Sequence, residues 1–158
     1  MSRIHLFILG GILMAGSAKA GVAQQSEGRE TLAGSFAQVS DLLLESAEMV
    51  PADRYAERPV ASVRTFLQLV THVADGNRYY CEHAKGNAIE WDDPNERTTT
   101  SRDAAIAALS QSIDDCKSVY ESATAKESAL IEGLAHANLH YGNVITYLRV
   151  MGLVPPSR

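Results

Sequence analysis

Apolar side chains recur at helical spacing in four stretches of the chain, and no stretch alternates convincingly at period two. Phe36, Val39, Leu43 and Ala47 form one stripe and predict a helix over residues 32–49, closed by Val50 and Pro51 because proline cannot continue a helix. Val63, Phe66, Leu67, Val70, Val73, Ala74, Asn77 and Cys81 track one face of a second helix over 60–84. In a third, Ile106, Leu109, Ile113, Cys116 and Tyr120 repeat at 3-4-3-4 spacing, with Thr100 or Ser101 as its cap and Asp103 in its first turn. Leu130, Leu134, Ala137, Tyr141, Val144 and Leu148 make the stripe of a fourth. The spacing of Thr124 and Glu127 predicts a capping box at the start of that helix, which is expected to end near Gly152, blocked beyond by Pro155 and Pro156. Four long amphipathic helices without strands predict an all-α fold, a four-helix bundle.

The connections are less regular. Residues 24–32 are polar and read as a loose lead-in, and 52–59 as a connector carrying both charge signs. Residues 86–101 form a loop longer than the usual bundle turn, which permits a crossover between the second and third helices. Trp91 lies in this loop; its ring either caps one end of the core, the favoured reading, or lines the mouth of a pocket. Asp114 and Asp115 fall off the apolar face of their helix and are expected in solvent.

Length and charge narrow the picture. The chain has 158 residues and a formal charge of −5, enough for one domain with a single core and without the basic patch that nucleic-acid partners demand. Its start reads as a secretory signal peptide over residues 1–20. Arg3 is positive, the run from Leu6 to Ala15 is apolar, and Ala18-Lys19-Ala20 is an A-x-A site, with a second site ending at Ala23. The run is too short to span a membrane, and no cysteine follows it for a lipid anchor. Cleavage after Ala20 or Ala23 leaves a single domain over residues 24–158, periplasmic or secreted and not inserted in the membrane. Cys81 and Cys116 both lie on apolar faces; in an oxidising compartment they are either a disulfide between two helices or two buried thiols.

The chemistry concentrates on histidine. His136 and His140 stand one turn apart on the last helix, at the flank of its apolar stripe, where two imidazoles can grip one ion. The glutamate of H-E-x-x-H is missing, so the spacing alone also fits two hydrogen-bonded histidines. His72 lies off the apolar stripe of the second helix, on a face shared with Asp75, Gly76 and Tyr79. Converging in a bundle, His72, His136 and His140 would make a metal site with open positions, with Asp75 orienting an imidazole or adding a fourth ligand. Such a donor set suits Zn, Ni or Fe. His83 lies about 16 Å further along its helix and is excluded from that site. No Gly-rich phosphate loop or G-x-S-x-G elbow is present, and no catalytic residue can be named.

The stretches RTFLQLVTHVADGNRYYC and LAHANLHYGNVITYLRVMGLVPPS, with H-V-A-D and H-x-x-x-H-Y-G-N-x-x-x-Y-L-R as their most telling phrases, resemble the DinB-like family of small metal-binding four-helix bundles. The likeness extends weakly to Tyr55, Arg58 and Pro59 and to the third helix. It implies up-down-down-up connectivity and a divalent metal held by a His triad falling on His72, His136 and His140. It also implies a small-molecule substrate, since related proteins include transferases and isomerases dependent on low-molecular-weight thiols, and it implies no DNA binding. Those thiols belong mainly to the cytosol, and here the chain departs from the family picture by its export segment. A metal-dependent hydrolase or transferase is therefore one expectation, and a non-catalytic metal-binding or interaction module the other. Bundles of this size often pair through a helical face, so a homodimer is a further expectation.

Overall fold

The computed structural model describes residues 15–157. Among the described residues there are five α-helices: α1 Ala15–Met49, α2 Phe66–Lys85, α3 Pro94–Thr98, α4 Arg102–Glu121 and α5 Glu127–Val150. The four long helices make the bundle, and α3 is a single turn and a half inside the long loop. Most of the apolar run of the expected signal peptide lies outside the described residues; the two cleavage motifs fall in the first turns of α1.

Side-chain bonds between helix ends give the directions. Arg102, at the start of α4, donates from Nε to the carbonyl of Val50, just past the end of α1, at 3.0 Å. Lys126 N, before α5, donates to Ala84 O near the end of α2 at 2.9 Å, and Tyr147 OH near the end of α5 donates to Arg64 O before α2 at 2.6 Å. Arg29, in α1, reaches Ala125 O at 3.2 Å, and Arg54, beyond α1, reaches Met151 O at 2.7 Å. So α1 runs antiparallel to α4 and parallel to α5, and α2 antiparallel to α5. Cys81 and Cys116, late in α2 and late in α4, are disulfide-bonded with Cα atoms 5.8 Å apart, which sets those two helices parallel. The connectivity is up-down-down-up, and the long loop is the crossover that two parallel neighbours require.

The predicted stripes fill the centre. Phe36, Val39, Leu43 and Ala47 of α1 meet Leu109, Ile113, Cys116 and Tyr120 of α4 and Leu130, Ala137, Val144 and Leu148 of α5 in one core. Phe36 stacks on Tyr120 with centroids 4.1 Å apart, and the Tyr120 hydroxyl donates to Leu130 O at 2.9 Å, so a buried phenol keeps its polar end satisfied. Asp114 and Asp115 are exposed as expected, and they bond to Lys117 and Gln111 on their own helix.

Four boundaries differ from the sequence reading. Residues 24–32 are helical, not a loose lead-in; the segment has no proline and is rich in good helix formers, so its polarity reflects exposure rather than irregular backbone. The second helix starts at Phe66 and not at residue 60, because Thr65 and Gln68 form a reciprocal capping box there. Val63 is consequently outside the helix and exposed. Thr124 does not cap α5; Lys126 holds the cap position without a side-chain bond, and the backbone bond from Lys126 to Ala84 fixes the entry instead. The loop is not featureless, since Pro94 at the first position of α3 starts a helical turn within it.

The disulfide closes a loop of 35 residues in sequence separation. Replacing both Cys81 and Cys116 with alanine should lower stability by about 2–4 kcal/mol. Urea denaturation is expected to show it as an earlier midpoint, with reductant weakening the parent protein and leaving the double variant unmoved.

Candidate metal centre

Every residue of α2 from Leu69 to Asn77 is buried, because α4 and α5 flank the helix and the loop carrying α3 crosses its remaining side. The face that bears His72, Asp75 and Gly76 is therefore interior, although it is not the apolar stripe. Across it, α5 presents His136 and His140 one turn apart. The structure brings His72, His136 and His140 together: each offers a ring nitrogen, and these atoms all lie within 4.8 Å of one another. Ring centroids are 5.2 Å apart for His72 and His136, 4.8 Å for His72 and His140, and 4.4 Å for His136 and His140.

Glycine makes this convergence possible. A Cβ on Gly76 would stand 2.2 Å from Cε1 and 2.6 Å from Nδ1 of His136, so the imidazole lies directly against the backbone of α2. On the opposite helix, a Cβ on Gly133 would stand 2.9 Å from Cβ of Tyr80. One glycine on each helix thus lets α2 and α5 close together, and the side chains of Tyr80 and His136 fill the space left.

The electrostatics keep two of the imidazoles uncharged. Burial, then the neighbouring His140, His72 and Arg64 charges, push His136 down to about 3 against a weaker opposing pull from Asp93. Burial, then His72 and Arg64, push His140 down to about 4. Neutral imidazole is the form that ligates a metal. The Nε2 atoms of His72 and His136 face each other at 3.4 Å. Two nitrogens on a tetrahedral zinc at ordinary bond lengths would be about 3.3–3.4 Å apart. Among the described residues, Nδ1 of His136 is buried with no hydrogen-bond partner. Spacing, neutrality and donor type all fit a divalent cation, so the triad could hold a metal ion.

The long loop completes the site. Nδ1 of His72 lies 2.9 Å from Oδ1 of Asp93 and 3.3 Å from Oε2 of Glu96. The indole of Trp91 donates to Oδ2 of Asp93 at 2.6 Å, and its ring packs at 5.3 Å from His72 and 5.4 Å from His136. Trp91 therefore walls the triad and does not cap the core, a correction to the favoured expectation: the loop folds over α2 and not over a bundle end. Tyr79 and Tyr80 extend the wall, with Tyr80 at 5.5 Å from His136. Asn143 sets its side-chain amide 3.3 Å from Nδ1 of His140. His83 stays apart, at 3.0 Å from Ile89 O.

Asp75 does something other than expected. Its buried carboxylate accepts from Asn95 N at 3.1 Å, Asn95 Nδ2 at 2.8 Å and Glu96 N at 3.0 Å. It neither ligates with the triad nor orients an imidazole. It satisfies the free amides at the start of α3, where no residue of α3's own cap does so. Asp75 acts on the site only by holding the loop that carries Asp93 and Glu96. These two acids were missed in the sequence. The signal that could have exposed them was the unusual loop itself, with Trp91, two aspartates and Pro94 in succession.

The class that fold and site define is a helical bundle whose facing helices set three imidazoles around one point, where they could hold a metal ion. Residues 35–149 match the family profile of the DinB superfamily, which covers most of the chain, and the chain belongs to that superfamily. No curated protein matches it.

Gly76→Ala should displace the His136 ring while keeping α2 helical, because alanine favours the helix and only the imidazole is in the way. Metal affinity is expected to fall more than about tenfold with unchanged helicity, as measured by titration and circular dichroism. The depressed imidazoles also set a pH dependence. Their folded pKa lies below the unfolded value near 6.5, so the unfolded chain takes up protons first as pH falls. Metal-free protein should therefore be fully stable above about pH 7 and lose on the order of 1 kcal/mol per pH unit for each of the two histidines as pH falls from about 6.5 toward about 4. Thermal melts of an EDTA-treated sample should show this slope, and it should flatten in a His136→Gln, His140→Gln double variant.

Proposed function

We propose that this protein is an exported metal-binding member of the DinB superfamily, in which His72, His136 and His140 hold one divalent cation and serve a metal-dependent hydrolase or transferase reaction on a small molecule. The observation that carries the reading is the meeting of three imidazole nitrogens from α2 and α5, each within 4.8 Å of the others, with no fourth protein ligand grouped with them among the described residues. Three protein ligands leave positions for a substrate atom, the pattern of reactive rather than structural sites. When bound, the cation supplies Lewis acidity toward a substrate oxygen or sulfur. The chain's own residues supply the rest: the glycine contact positions His136, the loop acids address the outer nitrogen of His72, and Trp91, Tyr79 and Tyr80 wall one side of the site.

Export is supported by two observations that do not depend on each other. The N-terminus carries the apolar run and A-x-A motif of a signal peptide, and Cys81 and Cys116 are bridged, as suits an oxidising compartment. No helix among the described residues is long and apolar enough to cross a membrane.

A second reading, a metal-binding module without turnover, draws on the state of the nearby acids. Asp75 is committed to α3, Asp93 to His72 and Trp91, and Glu96 to Arg64 and His72, so among the described residues no free carboxylate stands beside the triad as a general base. Tyr80, whose phenol burial pushes above its ordinary value, remains a proton donor at neutral pH.

Elemental analysis of protein purified without a His tag should find one equivalent of a divalent metal per chain, lost in His72→Ala and in His136→Ala. Absence of metal in protein exposed to Zn, Ni and Fe would remove the whole reading. With metal bound, turnover in a screen of small esters, amides and thiol acceptors, abolished in His136→Ala, separates the enzyme from the module.

A further inference from the structure

We infer that Asp93 is the positioning residue of this site: by accepting a hydrogen bond from Nδ1–H of His72 it fixes that imidazole in the tautomer whose Nε2 lone pair faces His136 and His140. The inference deepens the metal-site reading and rests on it for its consequence, though not for its chemistry.

A carboxylate only accepts hydrogen bonds, so an imidazole nitrogen 2.9 Å from Oδ1 of Asp93 must carry a proton to bond with it. In a neutral ring the other nitrogen then has a free lone pair. That nitrogen, Nε2, is the one 3.4 Å from Nε2 of His136. The same ring without an acceptor at Nδ1 would be free to place its proton on Nε2, inside the triad, where it would block a cation.

The surroundings hold Asp93 to this task. Its other oxygen accepts from the Trp91 indole at 2.6 Å, which sets the plane of the carboxylate. Its backbone is left-handed, with φ 43° and ψ 52°, an unusual conformation for a non-glycine residue but one that aspartate and asparagine tolerate best. This twist turns the side chain back toward α2 while the chain proceeds into Pro94 and α3. Asp75 anchors the next turn through three hydrogen bonds, and Arg78 pairs with Asp92 on the other side. Glu96, at 3.3 Å from the same Nδ1, is drawn to Arg64 by both its oxygens at 3.0 Å, so Asp93 is the nearer and less divided acceptor.

Asp93→Asn is a sharp test because asparagine keeps the left-handed backbone. The Trp91 N–H needs an acceptor, so the amide oxygen turns to it and the amide N–H turns to His72. With Glu96 held by Arg64, Nδ1 then accepts, and the proton moves to Nε2. Two-bond 15N correlation spectra of metal-free protein at pH 8, with His72 assigned by its loss in His72→Gln, should show the Nδ1–H tautomer in the parent and a shift toward Nε2–H in Asp93→Asn. Zinc affinity of the same variant, titrated calorimetrically, should fall by about 10–100-fold. Asp92→Asn, which loses only the Arg78 pair, should change neither. An Nε2–H tautomer in the parent, or an unchanged tautomer in Asp93→Asn, overturns the inference whether or not metal binds. A parent protein with the expected tautomer and no zinc binding would instead overturn the metal-site reading and leave the role of Asp93 in setting the tautomer intact.

Discussion

The close approach of α2 to α5 sets everything else about the site. Helices with ordinary side chains at their contact stay far enough apart that long side chains from each pass alongside one another. Here Gly76 and Gly133 remove the obstructing Cβ atoms, one on each helix. His136 can lie flat on the backbone of α2, and its Nε2 ends 3.4 Å from that of His72. A methyl group at position 76 would occupy the ring's own place. The spacing of the donors is thus a property of backbone distance more than of rotamer choice, which makes it rigid in the way an ion-binding site needs to be.

Around that contact the charges are arranged with the acids outside and the neutral imidazoles inside. Burial disfavours the cationic form of His136 and His140, and Arg64 adds to the effect from nearby. Asp93 and Glu96 approach only the outer nitrogen of His72. Asp75 instead accepts from the Asn95 and Glu96 amides and the Asn95 side chain at the start of α3. The result is a small volume that offers lone pairs and little positive charge, bounded by a loop that is itself tied to α2 at several points. Such an arrangement has no evident use in a bundle stabilised by its core alone, since each buried polar group costs free energy unless it is matched.

The bundle and the triad were legible from spacing because both are local. The apolar stripes of α1, α4 and α5 report burial directly, and His136 with His140 must share a face of one helix. The second face of α2 was visible too, as a place where imidazole, carboxylate and glycine stand in helical register without lysine or glutamate. Its burial was not visible, because what covers it is a loop from elsewhere in the chain. For the same reason the sequence points to Trp91 as a core cap and to Asp75 as a partner of histidine. A loop's side chains have no periodicity to report where they point, and the acid nearest in sequence to His72 was the natural choice.

The sequence by itself determined four amphipathic helices, the three histidines, the cysteine pair and the glycine on the face of His72. These follow from backbone geometry, which fixes what lies on a given face over a few turns. Only the tertiary structure decided that Cys81 and Cys116 bond, that α2 is covered on all sides from Leu69 to Asn77, and that Asp93 rather than Asp75 meets His72. Each of those outcomes depends on where the crossover loop lands, and that is set by packing among helices distant in sequence, a quantity no local pattern encodes.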